Sequence, residues 1–302
     1  AKNSRLLKYK VFGYDIDKEK SRSLSAMGGI FIKDKKEFIK KIDVGIISSP
    51  NKCHLEDMKF LINNKKHCFI EKPISHEYYQ TKKIIDKANS LKLKIFVGHN
   101  LRFHPAVKKA KGWLENKKIG RILWSSLICS SYLPDWRKGQ DYKQGYANES
   151  KGGGVIFDCI HEIDLANHLL GKAQIIKCSA ESTKYLKLKT EDIADIWLKH
   201  EDKSRSSIHL DYITRPKLRC TKIIGEKGMI KIEISKRILK LINIDNKVIE
   251  SYYFKSDSNR DYINELKSFF KCIEKKIPTP FKVEESIEIL KQVLEARKLA
   301  SL

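Results

Sequence analysis

Over the first hundred residues, brief apolar runs alternate with longer stretches whose apolar positions recur at helical spacing. Tyr9 to Tyr14, Val44 to Ile47, Cys68 to Ile70 and Ile95 to Val97 have the form of buried parallel strands. Between them Lys18 to Met27, Asn51 to Asn64 and His76 to Leu91 predict helices, the last with Ser75 as its expected N-cap. Strand, helix, strand with short joins predicts a doubly wound parallel sheet. The rhythm changes near residue 100. Helices are predicted over Pro105 to Asn116 and Gly152 to Leu170, followed by alternating segments at Ile193 to Lys199, Ser206 to Tyr212, Thr221 to Ile224 and Met229 to Ile234. The Gly-Glu-Lys-Gly turn at 225–228 marks the joins as tight and the sheet as largely antiparallel. Helices over Arg260 to Glu274 and Val283 to Ala300 close the chain. The expectation is an α/β protein of two domains, 1–100 and 101–302.

Length and composition agree with that picture. A chain of 302 residues that is 41% hydrophobic and 32% charged has the size of two domains and the composition of a globular protein. No apolar run approaches the roughly 18 residues a membrane span needs, and Ala1-Lys2-Asn3-Ser4-Arg5 opens no signal peptide, so a cytoplasmic place off the membrane is expected. Seven cysteines without a Cys-x-x-Cys pair fit reduced thiols and offer no metal-ligand spacing. Basic groups outnumber acidic ones 61 to 37, a net charge of +24. The lysines are scattered in pairs such as Lys35-Lys36 and Lys275-Lys276 rather than gathered on one element, which argues against a nucleic-acid partner and leaves a bias toward anionic small molecules.

Polar residues cluster where predicted strands end, which is where open α/β sheets bind ligands. Asp15 follows the first apolar run and is either a ribose acceptor or a helix cap. Ser48, Ser49, Pro50 and Asn51, with His54 beyond, follow the second, and Glu71-Lys72-Pro73 follows the third as a ligand-facing pair or a surface ion pair. Asn100 and Arg102 stand where the two regions meet, and Trp136-Arg137 lies further on in Leu-Pro-Asp-Trp-Arg. Gly152-Gly153-Gly154 leads to Asp158 and His161, three apart and so on one face of a continuous helix. An imidazole beside a carboxylate is a proton-transfer pair, although a single helical histidine also serves structural roles. A dinucleotide site also needs a first strand and a Gly-x-Gly-x-x-Gly turn. Ala1 to Leu7 reads as the end of the helix after such a turn, so about 20 residues of a complete fold are expected to lie upstream.

Glu71-Lys72-Pro73, the Gly98-x-Asn100-x-Arg102-Phe103 stretch, the glycine run before Asp158 and His161, and Tyr262-x-x-Glu265 with Phe269 together resemble the Gfo/Idh/MocA oxidoreductases, in order along the chain. The resemblance implies a Rossmann-type N-terminal domain, here without its first strand. It also implies a C-terminal α/β domain whose large, mostly antiparallel open sheet makes a homodimer or homotetramer. It implies hydride transfer between NAD, with NADP left open, and a carbon of a sugar or nucleotide sugar in surface-polysaccharide synthesis. Inositol or a simple sugar is the alternative substrate, and a non-catalytic sugar-binding protein the alternative function. By the same resemblance Lys72 stabilises the reacting oxygen, His161 is the acid/base and Asp158 its partner, with Asp164 as the competing choice. Asp15, Ser48, Ser49, Pro50, Asn51, His54, Glu71, Lys72 and Asn100 line the cofactor, and Arg102, Trp136, Arg137, Asp158 and His161 the substrate.

Overall fold

The structure is a computed structural model that describes residues 1–137, 139–255 and 259–302. In chain order it begins with α1 (Lys2–Leu6), β1 (Phe12–Gly13), α2 (Lys20–Ala26), β2 (Ile30–Phe31), α3 (Lys35–Lys41), β3 (Val44–Ile47), α4 (Asn51–Asn63), β4 (His67–Glu71), α5 (Tyr78–Ser90) and β5 (Ile95–Gly98). It continues with α6 (Pro105–Glu115), β6 (Ile122–Ser130), α7 (Val155–Asp158), α8 (His161–Leu170), β7 (Ala173–Glu181), β8 (Ile193–His200) and β9 (Arg205–Asp211). Then come β10 (Leu218–Gly225), β11 (Gly228–Glu233), β12 (Ile238–Asn243), β13 (Val248–Tyr253), α9 (Asn259–Glu274) and α10 (Val283–Leu299). Two compact units emerge, one of Ala1–Asn100 with the described residues of 257–285, the other of the described residues of 101–256 with Ser286–Leu302. A single cut near residue 100 therefore misplaces α9.

In the first unit β3, β4 and β5 pair in parallel, with Ile47 opposite Ile70 and Glu71 opposite Gly98. A separate parallel pair joins β1 to β2. The expected strand over 9–14 is thus reduced to two residues. Helix α4 buries Leu55, Met58, Leu61 and Ile62, and α5 buries Thr81, Ile84, Ile85 and Ala88, each in steps of three and four, the stripe of an amphipathic helix on a core. Gly45 in β3 is required by this packing, since a Cβ there would overlap the Leu61 side chain. α9 joins the unit through Phe269, whose ring meets those of Phe69 and Phe96 edge-on at 5.6 and 5.8 Å, and through Phe270, stacked on Tyr9 at 3.9 Å. Burying such rings supplies about 2 kcal/mol or more each. That gain explains why a C-terminal helix returns to an N-terminal unit.

The second unit is built on an eight-stranded sheet in the order β13-β12-β11-β10-β6-β9-β8-β7, in which only β6 and β9 pair in parallel. Along β8 burial alternates, with Ala194, Ile196, Leu198 and His200 inside, the pattern of a sheet covered on one face. Trp124 and Trp197 remain 46% and 37% exposed on the alternate positions. The open, mostly antiparallel sheet is as the resemblance implies.

Two local expectations change. The helix expected over 152–170 breaks at Cys159 and Ile160 into α7 and α8, so Asp158 ends one helix and His161 starts the next. Ser75 does not cap α5. Glu77 does, its carboxylate accepting from the Gln80 N–H at 3.0 Å, while the Ser75 hydroxyl accepts from the Glu77 N–H at 2.9 Å. A carboxylate one residue before the helix reaches the first-turn donors, which a serine two residues further out does not.

Candidate active site

Within the first unit the ends of β3, β4 and β5 bring Ser48, Glu71 and Gly98 to one edge of the sheet. Glu71 closes β4, and a Cβ on Gly98 would lie 3.2 Å from its carboxylate, so the glycine is what lets the acid lie across the next strand. Burial raises the Glu71 pKa, against the charge and N–H of Lys72. An open cleft of about 360 Å³ runs past Ser48, Glu71, Ser4, Tyr262 and Glu265.

His54 and Ser49, expected to line a cofactor, make hydrogen bonds within the protein. The His54 ring is 2% exposed and lies 2.7 Å from the Pro73 carbonyl and 2.9 Å from the Ser49 carbonyl, tying the loop after β3 to the loop after β4. Burial lowers its pKa although two carbonyl partners favour the charged ring. The Ser49 hydroxyl donates to Asp57 at 2.8 Å, and Asn51 is 7% exposed at the start of α4. Ser48 and Pro50 are exposed. Asp15, exposed two residues beyond β1, accepts from the Asp17 N–H at 2.9 Å, an Asx turn that orients the carboxylate. Lys72 enters Pro73 through a cis peptide bond, and Asn100 opens a short 3₁₀ turn after β5.

Could these residues hold a dinucleotide? Asp15 offers a ribose acceptor, and Ser48 and Glu71 offer polar groups beside an open cleft. Residues 1–302 contain no Gly-x-Gly-x-x-Gly turn. The groups present fit the ribose and nicotinamide ends of the molecule and supply no backbone cradle for its pyrophosphate.

The second unit contains an independent cluster. Asp158, 7% exposed, accepts hydrogen bonds from the Tyr146 hydroxyl on Oδ1 and the Tyr212 hydroxyl on Oδ2, both at 3.0 Å. Burial raises the pKa of both phenols, and the adjacent carboxylate adds to it, so both hydroxyls stay protonated as donors. Tyr212 meets the edge of Trp136 at 5.5 Å, and the Trp136 N–H donates to the Ser131 hydroxyl at 2.9 Å. Arg137 lies over the Tyr146 ring at 5.2 Å. Trp136, Arg137, Tyr142 and Tyr146 border a small pocket of about 40 Å³. His161, three residues past Asp158, opens α8.

Arg102, expected to contact substrate, is 2% exposed and grips Asp164, with Nη2 to Oδ1 at 2.6 Å and Nε to Oδ1 at 3.1 Å. The reason is desolvation, because two buried charges this close must pair or be expelled. Asp164 is thereby committed to Arg102. Tyr146 and Tyr212 were not foreseen from sequence. The available signal was Tyr212 at the buried end of a predicted strand, since a buried tyrosine needs a partner for its hydroxyl. Among the described residues no cluster of three or more metal-ligating side chains occurs, and no helix is long and apolar enough to cross a membrane.

Residues 9–99 match the profile described as "Oxidoreductase family, NAD-binding Rossmann fold", and residues 107–231 match the GFO/IDH/MocA C-terminal domain. The 2,7-anhydro-N-acetylneuraminate hydratase of Escherichia coli K12 is 29% identical over 133 residues, 44% of this chain and 35% of that protein. The levoglucosan dehydrogenase of Pseudarthrobacter phenanthrenivorans is 31% identical over 134 residues, 43% of this chain and 34% of that protein. The matched stretch thus spans only about a third of the length of these relatives. A solved levoglucosan dehydrogenase, in complex with NADH and levoglucosan, superposes with a TM-score of 0.87 at 17% identity, covering 97% of this chain and 88% of that one. At that identity the likeness speaks for the fold.

Proposed function

The chain belongs to the Gfo/Idh/MocA oxidoreductase family, and from that premise we propose that it is an NAD-dependent oxidoreductase acting on an alcohol carbon of a sugar, in particular an anionic sugar such as a nucleotide sugar. The observation that carries the reading is the Asp158 carboxylate, held by two phenols beside a pocket walled by Trp136, Tyr142 and Tyr146. Aromatic faces take the apolar side of a sugar ring, and Arg137 at the rim makes no ion pair among the described residues and is available to an anionic substituent. The nicotinamide, when bound, accepts or returns the hydride.

The protein's part is proton and charge management. His161 takes the hydroxyl proton as the carbon is oxidised and gives it back in reduction. Asp158 orients that histidine and is preferred to Asp164, which is held by Arg102. The Lys72 ammonium stabilises the developing oxyanion. Asp15 receives the ribose hydroxyls and favours NAD over NADP, with Ser48 and Glu71 lining the nicotinamide side. The exposed sheet face with Trp124 and Trp197 is the surface on which two or four copies associate.

The test is a fluorescence titration of NADH into the polypeptide that carries residues 1–302, followed by NAD-linked oxidation of neutral, phosphorylated and nucleotide-linked sugars. Saturable binding is expected, with Lys72→Ala and His161→Ala lowering turnover by roughly a hundredfold or more while NADH binding stays near parental. A folded protein that binds no NADH, or variants that keep parental rates, would rule the reading out.

A further inference from the structure

Helix α7 is a single turn of four residues, too short to hold its own shape, yet it ends on Asp158. Its start is fixed from outside. The Val155 N–H donates to the Glu191 backbone carbonyl at 3.1 Å and the Ile156 N–H to the Glu191 carboxylate at 3.4 Å. That carboxylate is fully buried, and Arg297, on α10 near the end of the chain, meets both its oxygens through one nitrogen, Nη1, at 2.7 and 2.8 Å. The same Nη1 reaches the Gly153 carbonyl at 3.3 Å. Gly154, at φ +94°, stands where any Cβ would overlap the Glu191 carboxyl. One residue on, the Asp192 carbonyl accepts the Tyr212 N–H at 2.9 Å and so fixes the backbone of a phenol that holds Asp158 from the other side.

We propose that Glu191 and Arg297 are positioning residues: a buried charge pair that braces the glycine turn and thereby sets the Asp158 carboxylate relative to His161. The proposal rests on the reading of Asp158 and His161 as the proton-transfer pair. Neither residue is assigned a contact with substrate. A buried ion pair adds little net stability over an apolar pair of similar volume, so its retention here is explained by the geometry that it imposes. The pairing uses a single guanidinium nitrogen, so a lysine ammonium can replace it.

The test compares Arg297→Lys, Arg297→Met and the double variant Glu191→Met/Arg297→Met. In each, the His161 C2–H resonance is titrated by NMR, assigned by its loss in His161→Gln, and turnover is measured on the sugar oxidised by the parent. A carboxylate beside an imidazole raises its pKa. The His161 midpoint should therefore fall by about one pH unit in Arg297→Met and in the double variant, and stay parental in Arg297→Lys. kcat should fall about tenfold or more in the first two, with KM within about twofold, and recover in the lysine variant. Removing both charges leaves no unpaired buried ion, so the double variant should fold. A folded double variant with parental midpoint and kcat, or one that cannot fold, would overturn the proposal. A parent without NAD-linked oxidation, but with the midpoint shift in its variants, would defeat the oxidoreductase reading and leave the brace standing.

Discussion

His209 stands between two carboxylates, with Nδ1 2.8 Å from Asp195 and Nε2 3.1 Å from Asp211. Its pKa is raised to about 9, first by the hydrogen bond to Asp211, against burial and with Asp195 adding to it. Asp211 is held below its ordinary range by His209, Ser130 and Thr214, although burial opposes this. An unfolded histidine titrates near about 6.5, so the stability that this group lends is complete below that pH and is lost as pH rises to about 9. The thermal midpoint should fall across that window, and His209→Gln should flatten the fall. An equal slope in parent and variant would refute the assignment. At this scale the sequence carries expectations rather than contacts: Asp158 and Trp136 stand out by residue type and position, whereas the phenols of Tyr146 and Tyr212 that hold Asp158 do not. The protein partners of Arg102 and His54 are hidden for a common reason: a polar group near a strand end looks ligand-facing in sequence, whether or not it is also buried against a carboxylate or carbonyl.

Among the elements, the amphipathic helices were legible because a single apolar stripe determines both their period and their buried face. What the pattern hides is a break that leaves the apolar positions in step. Cys159 and Ile160 are buried like their neighbours, so the residues from Val155 to Leu170 read as one helix although two form. The glycine turn before that break is where substitution is costly. Gly154→Ala meets both a left-handed backbone and the Glu191 carboxyl, and should destabilise the protein by about 2 kcal/mol or more in urea unfolding. At Gly112, on α6 with open space around its missing Cβ, alanine should be neutral or stabilising by about 0.5–1 kcal/mol. Comparable losses at both sites would show that the turn is not special. Glu191 and Arg297 were invisible as partners because 106 residues separate them and no local spacing relates a loop to a distant helix.

For the whole molecule, the net charge of +24 sets a field that a site of any design must work within. An anionic sugar should show a KM that rises several-fold as salt goes from about 0.01 to 0.15 M, while a neutral sugar's KM holds steady. Equal salt dependence would remove the charge from the account of specificity. The two-unit plan was readable from the change of rhythm, but the return of α9 was not, because an amphipathic helix declares a buried face without naming what buries it. The order of strands in the larger sheet has a further consequence for how the chain is made. β7, β8 and β9 form one run of neighbours, and β10 to β13 another, so each can zip locally as it leaves the ribosome. β6 is synthesised before either run and has no neighbour in sequence to pair with; its partners are β9 and β10, whose first residues, Arg205 and Leu218, come some eighty residues and more after Ile122. A nine-residue strand with Leu123, Trp124, Leu127 and Ile128 thus waits unpaired while the residues between it and β9 are made. The segment at the middle of the finished sheet is the one that a chaperone would have to shield.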